Sequence, residues 1–92
     1  MIIEQTSHFA KAMKKLHGNQ REQIESAVRI IIQNPAIGEL KKGDLTSVRV
    51  YKFSMVKQLT LLAYSYSEER ITLRLLMFGS HENFYRDLKN LH

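Results

Sequence analysis

No cysteine occurs among the 92 residues. Disulfides and thiolate metal sites are excluded with it, and an oxidising compartment has no support. No apolar run approaches the ~18 residues of a membrane span, and the chain does not open with a basic-then-apolar leader. A cytoplasmic, soluble protein is therefore expected. Acidic residues are the minority: 9 Asp and Glu stand against 14 Lys and Arg, a formal net charge of +5. That excess favours a polyanionic partner or an acidic protein. The basic residues are spread through patterned segments, unlike the charge block of a disordered tail. Linkers, repeats and low-complexity stretches are also missing, so residues 1–92 read as one domain. The 43% of hydrophobic residues suffices for a small core. Chains of this size bury only about 60–65% of their unfolded surface, which predicts modest, partner-dependent stability.

What is present divides into two periods. Met1-Ile2-Ile3-Glu4-Gln5 is a short β-prone opener, expected at a sheet edge. Thr6 and Ser7 offer an N-cap, and Phe9, Met13 and Leu16 recur at helical spacing as far as Gly18. A second helix is expected from about Asn19 to Gln33, with Ile24, Val28 and Ile31 in a stripe that Ala27 widens. Asn34-Pro35 ends it, because the residue before a proline is pushed out of the α region. The two helices should form a hairpin packed on a sheet. From Thr46 the period falls to two: Val48 and Val50 alternate with Arg49, Tyr51 and Phe53. Leu59 to Tyr66 and Ile71 to Phe78 are longer apolar runs joined by a turn at Ser67-Glu68-Glu69. In the last run strict alternation puts Ile71, Leu73, Leu75 and Met77 on one face, and Thr72, Arg74, Leu76 and Phe78 on the other. A short helix from about His81 to Asn90, with Phe84, Leu88 and Leu91 as its buried stripe, closes the chain. The order β-α-α-β-β-β-α predicts an α+β fold: an antiparallel sheet, a helical hairpin on one face, and a short C-terminal helix. The other face would be partly open and carry Arg49 and Arg74.

The chemistry concentrates near the end, in Gly79-Ser80-His81-Glu82-Asn83-Phe84-Tyr85. On a helix, residues four apart share a face, so His81 and Tyr85 should meet. Metal-free RNA cleavage uses the 2′-OH as nucleophile, a base, an acid for the leaving oxygen, and cations around the phosphorane. An unperturbed imidazole titrates near neutrality, which suits His81 to acid or base work. Tyr85 would orient it or stack on a splayed base. The plainer alternative has Ser80 capping the helix, His81 exposed in its first turn and Tyr85 packed on the sheet. Arg49, Lys52, Lys57 and Arg74 would form a phosphate patch if they converge with His81; singly, each would only solubilise a sheet face. Lys41 and Lys42 make a second basic group with Lys11, Lys14 and Lys15, the latter three a solvated helix face. His8, His17 and His92 lack metal-ligand spacing and read as surface residues; Met13, Met55 and Met77 read as core filler.

Three stretches carry a family resemblance. Ile37-Gly38-Glu39-Leu40-Lys41-Lys42-Gly43-Asp44-Leu45 resembles a leucine, basic, glycine, leucine loop; Val48-Arg49-Val50-Tyr51-Lys52-Phe53 resembles a basic second strand; Gly79 to Tyr85 resembles a glycine-x-His-x-x-x-aromatic close. Over essentially its whole length the chain resembles the RelE/ParE superfamily of bacterial type II toxin–antitoxin toxins. It looks closest to a ParE-like subgroup ending in His-Glu-Asn-Phe-Tyr. The resemblance implies a toxin silenced by a cognate antitoxin protein in the bacterial cytoplasm, with no metal, small-molecule cofactor or membrane involved. Its implied activity is ribosome-dependent cleavage of mRNA; the alternative is the non-enzymatic poisoning of DNA gyrase by ParE-type members. Carried over by position, Lys52 falls near a catalytic position of the second strand, His81 on the C-terminal histidine and Tyr85 on its aromatic neighbour. Where the family's third strand reads Gly-x-Tyr-Arg-Leu-x-Tyr, this chain has Val56-Lys57-Gln58-Leu59-Thr60-Leu61. Phosphate stabilisation would then pass to Lys57, Lys52, Arg49 or Arg74, with Lys41 and Lys42 as further RNA contacts.

Overall fold

The computed structural model describes residues 1–91, the side chain of Asp44 excepted. Strand β1 (Ile2–Gln5) leads into helices α1 (Ser7–Lys14) and α2 (Gly18–Gln33). Strands β2 (Glu39–Leu40), β3 (Arg49–Met55), β4 (Gln58–Ser67) and β5 (Thr72–Ser80) follow, then helix α3 (Phe84–Leu91). The expected element order is present, with β2 as an added two-residue strand and a 3-10 turn at Gly43–Leu45 after it. The five strands are ordered β1-β5-β4-β3-β2. All neighbours are antiparallel except the edge pair β1 and β5, which run parallel from Ile2 opposite Thr72 to Gln5 opposite Leu75. The helical hairpin explains that pair: it carries the chain from one sheet edge across to the other, and a parallel partner needs such a crossover.

Local chemistry sets the helix ends. The Thr6 hydroxyl accepts from the Phe9 N–H at 3.0 Å, capping α1, and donates to the Leu76 carbonyl at 2.6 Å, tying the cap to β5. Such a cap answers one of the four N–H groups a helix start leaves without an internal partner. At the start of α2 the Gln20 side chain accepts from the His17 N–H at 3.1 Å. Helix α2 stops at Asn34, one residue before Pro35. No helix is long and apolar enough to cross a membrane among the described residues.

Both sheet faces carry a core. On one, Phe9 of α1 and Ile24, Ala27 and Ile31 of α2 pack on Leu62, Tyr64, Leu73 and Leu75. On the other, Phe84 and Leu88 of α3 pack with Leu45 over Val48, Val50, Leu61, Ala63 and Met77. The face expected to be partly open is thus closed at its centre by α3 and the 3-10 turn. It also does not carry Arg49. Val48 and Val50 point to α3, so Arg49 between them points to the hairpin, and only Arg74 of the two lies on the α3 side.

Strict alternation holds along β4 but not β5. Between Ala63 and Tyr64 the pairing slips by one: Ala63 faces Met77 and Tyr64 faces Leu75, leaving Leu76 as a bulge. A bulge places two residues of one strand against one of its partner and rotates everything beyond it. Met77 consequently joins the α3-side core, while Phe78 packs against the hairpin side. This corrects the expected faces of Met77 and Phe78. The last helix also starts later than the spacing predicts. His81, Glu82 and Asn83 form a turn, Asn83 sits in the left-handed region (φ 61°), and α3 begins at Phe84.

Candidate functional site

The loop before β2 is fixed by two side chains on the hairpin face. Tyr64 is fully buried, and its hydroxyl donates to the Pro35 carbonyl at 2.7 Å and accepts from the Gly38 N–H at 2.9 Å. The Arg49 guanidinium donates to the Ala36 carbonyl at 3.2 Å and the Gly38 carbonyl at 2.8 Å. The backbone approaches so closely that a Cβ on Gly38 would lie 2.7 Å from the Tyr64 oxygen. Only glycine fits there. This anchored loop delivers β2, in which Glu39 pairs with Val50, and then Lys41, whose N–H donates to the Val48 carbonyl at 2.9 Å.

On the α3 side, Lys41 meets two side chains. Its Nζ lies 2.8 Å from a Glu39 carboxylate oxygen and 5.1 Å from the centre of the Tyr85 ring. The Tyr85 ring meets the His81 imidazole edge-on, with centroids 6.2 Å apart and planes at 80°. Tyr85 also packs edge-on against buried Phe84, 5.3 Å between centroids, which holds its ring in place. The hydrogen bond and charge of Lys41 hold the Glu39 carboxyl below its usual range, and Lys52 adds to this. The Lys41 ammonium is held above its ordinary value, first by the bond to Glu39; partial burial opposes this and Tyr85 adds to it. At neutral pH the pair is therefore ionised on both sides. An imidazole, a phenol, an ammonium and a carboxylate form one chain of contacts at an open surface. That set can exchange protons, neutralise a phosphate and offer a ring for stacking.

The remaining candidates separate. Lys52 lies on the α3 side, because its cross-strand partner Leu61 belongs to that core. Leu61 also pairs with Gly79, so Lys52 is two strands, about 10 Å, from the end of β5. Lys57 stands with Val56 in the tight turn between β3 and β4, both in the left-handed region, at the same end of the sheet as His81. Lys42 is exposed in the loop after Lys41. Arg49 is engaged on the hairpin side, and Arg74 stands six residues before Ser80, about 20 Å down the strand. The four strand and turn cations thus do not converge on His81. Strand parity takes Arg49 away and strand length takes Arg74.

Glu39 was not among the sequence candidates. Its signal was its place two residues before Lys41 in a β-prone segment, a spacing that puts both side chains on one face. His8 and His17 are exposed, and His92 lies outside the described residues. Among the described residues no three His, Asp or Glu stand close enough to share a metal ion.

Comparison with known proteins adds a family. The sequence pattern of the ParE-like toxin of type II bacterial toxin–antitoxin systems matches residues 3–89. No curated protein matches the sequence. Among solved structures the chain is similar to the toxin in the intact E. coli RelBE toxin–antitoxin complex, at 20% identity and a TM-score of 0.70, covering 88% of this chain and 96% of that one. It is similar to a mutant of the E. coli toxin RelE in the free state, at 17% identity and a TM-score of 0.72, covering 98% and 90%. It is also similar to a YoeB/ParE toxin from Agrobacterium tumefaciens, at 17% identity and a TM-score of 0.69, covering 88% and 99%. At these identities the likeness is one of fold.

Proposed function

The chain belongs to the ParE-like toxins of type II bacterial toxin–antitoxin systems, and from that premise we propose that it is a ribosome-dependent mRNA endonuclease that stops translation. The observation that carries this reading is the contact chain His81–Tyr85–Lys41–Glu39 on an accessible surface. In the proposed reaction the ionised Glu39 carboxylate accepts the proton of an RNA 2′-OH. The freed oxygen bonds to phosphorus, the bond to the 5′ oxygen breaks, and the His81 imidazolium gives that oxygen a proton. The products are a 2′,3′-cyclic phosphate and a 5′-OH. Lys41 and Lys52 oppose the charge that builds on the phosphorane, with Lys57 at the rim. Tyr85 stacks on a base next to the cut and keeps the imidazole in place. The chemistry uses the RNA's own hydroxyl and needs no metal.

The RelBE structure contains a toxin with its antitoxin, and a cognate antitoxin is proposed here as the partner that silences this chain in the cytoplasm. The ribosome would present the mRNA. A second reading, the trapping of DNA gyrase without catalysis, is favoured by β4, whose ten residues Gln58–Ser67 bring no arginine or lysine to the site.

Controlled expression of the parent and of His81→Ala, with primer extension on a reporter mRNA within minutes of induction, tests the choice. The nuclease reading expects discrete 5′ ends inside the coding region for the parent and none for the variant. His81 is exposed, so the variant should fold and bind antitoxin as before. Growth arrest with intact mRNA and broken DNA would overturn it in favour of gyrase.

A further inference from the structure

Arg74, left out of the His81 site by distance, belongs to a second arrangement. A depression of roughly 480 Å³ lies where the β4–β5 hairpin meets β1, lined by Arg70, Arg74 and the hydroxyls of Ser47, Ser65 and Thr72, with Glu4 at its side. Ser65 and Arg74 are cross-strand partners, and Ser65 is one alternation step from Ala63 of the α3-side core. The depression therefore opens on the same sheet face as His81, about 20 Å away along β5. We infer that it binds a backbone phosphate of single-stranded RNA, a second holding point beside the reacting one; this rests on the reading of the chain as a nuclease.

The backbone there is shaped to present Arg70. The Ser67 hydroxyl accepts from the Arg70 N–H at 3.2 Å, and the Thr72 hydroxyl donates to the Arg70 carbonyl at 3.0 Å. The next residue, Ile71, is held at φ 50° although it is β-branched and half exposed, and Ser47 across the depression is at φ 77°. A β-branched residue adopts that region only when its surroundings force it. Two guanidiniums and the hydroxyls of Ser47 and Ser65 suit a phosphate, which accepts several hydrogen bonds at once. Glu4 is the one acid among the residues that line the depression, and it is weakly placed: it lies 3.9 Å from Arg74, and both side chains are half exposed. A phosphate can displace such a pair. An RNA strand held here and at His81 needs only a few nucleotides to span the gap of about 20 Å.

The test is fluorescence anisotropy with a labelled 2′-O-methyl RNA dodecamer, whose blocked hydroxyl prevents cleavage, titrated at several salt concentrations. The double variant Arg70→Ala/Arg74→Ala should bind about tenfold more weakly, and its slope of log affinity against log salt should be shallower by about 0.7, one single-strand phosphate contact. Glu4→Gln should bind more tightly than the parent. Unchanged affinity and slope in the double variant, or no gain from Glu4→Gln, would overturn the site. A thermal midpoint equal to the parent's shows that the exposed arginines were removed without unfolding the chain. The two readings fail separately. If the double variant loses RNA affinity while the parent cuts no mRNA in cells, the phosphate site stands without the nuclease. If the parent cuts mRNA and the double variant binds RNA as the parent does, the nuclease stands without the site.

Discussion

Tyr64→Phe isolates a single hydroxyl. The ring is fully buried between sheet and hairpin, and phenylalanine fills the same space. What goes is the donation to the Pro35 carbonyl at 2.7 Å and the acceptance from the Gly38 N–H at 2.9 Å. Burial lifts the Tyr64 phenol above its usual value, so in the parent the hydroxyl keeps its proton and both bonds at neutral pH. Each bond contributes about 1 kcal/mol net, and a buried N–H left without a partner costs about 1 kcal/mol more, so the loss is about 2–3 kcal/mol. In a chain of this length 1 kcal/mol moves the thermal midpoint by about 4–8 °C, which predicts a fall of roughly 10–20 °C. Arg49 still holds the same loop through two carbonyls, so the lower half of that range is expected. Circular dichroism melts give the midpoint, and amide exchange gives its location. Exchange should quicken from Gly38 to Lys41 well before it does in β4. A fall of less than about 3 °C, well below the smallest shift expected, with unchanged exchange at Gly38, would refute the argument that this hydroxyl secures the loop behind Glu39 and Lys41.

Other substitutions probe the same construction. Gly38→Ala puts a methyl 2.7 Å from the Tyr64 oxygen and 2.8 Å from its ring; melts should show overpacking of about 1–3 kcal/mol. Gly18→Ala, with open space around it at the start of α2, should leave the midpoint level or raise it. Thr6→Ala loses the α1 cap together with the bond to Leu76, about 1–2 kcal/mol by the same melts. Glu39→Gln tests the ion pair through pH. The folded carboxyl titrates below its usual value, so its stabilisation is present above the unfolded value of about 4.3 and is lost as pH falls through the folded one. Parent and variant melts should therefore differ at pH 7 and converge in acid; a gap that persists at pH 2.5 would count against the pairing with Lys41.

The element order was legible because each segment states its own period. Ile24, Ala27 and Ile31 can share a helix face, and Val48 and Val50 a strand face, without reference to anything distant. The features that escaped are those set by a partner elsewhere in the chain. Leu76 is a bulge because Tyr64 pairs past it and Thr6 takes its carbonyl, sixty and more residues apart from it in one case. Nothing in the run Leu73 to Phe78 announces that. The late start of α3 follows from one left-handed residue, Asn83, where the His81–Tyr85 spacing alone predicts a continuous helix. The two rings still meet, across a turn rather than along a helix. Of the cations, Lys41 and Lys52 reach the α3 side, a placement that follows from the pairing of β2, β3 and β4. Arg49 was expected on that side but shares the parity of Tyr51 and Phe53, which pack against the hairpin.

The bulge in β5 gives that strand an odd-and-even arithmetic. Gly79 presents its bare face to Phe84, 3.9 Å from where a Cβ would be, although it stands five residues after Arg74 on the same side, because the bulge takes up the odd residue. Removing that one residue would return the strand to plain alternation with the two four apart, so Gly79, His81 and Tyr85 would keep their side. Removing two would leave them three apart and carry the chain into the hairpin layer, with His81 and Tyr85 parted from Lys41. Loss of the bulge should therefore be survivable and loss of one residue more ruinous, a constraint on how such a chain can vary that no individual side chain expresses.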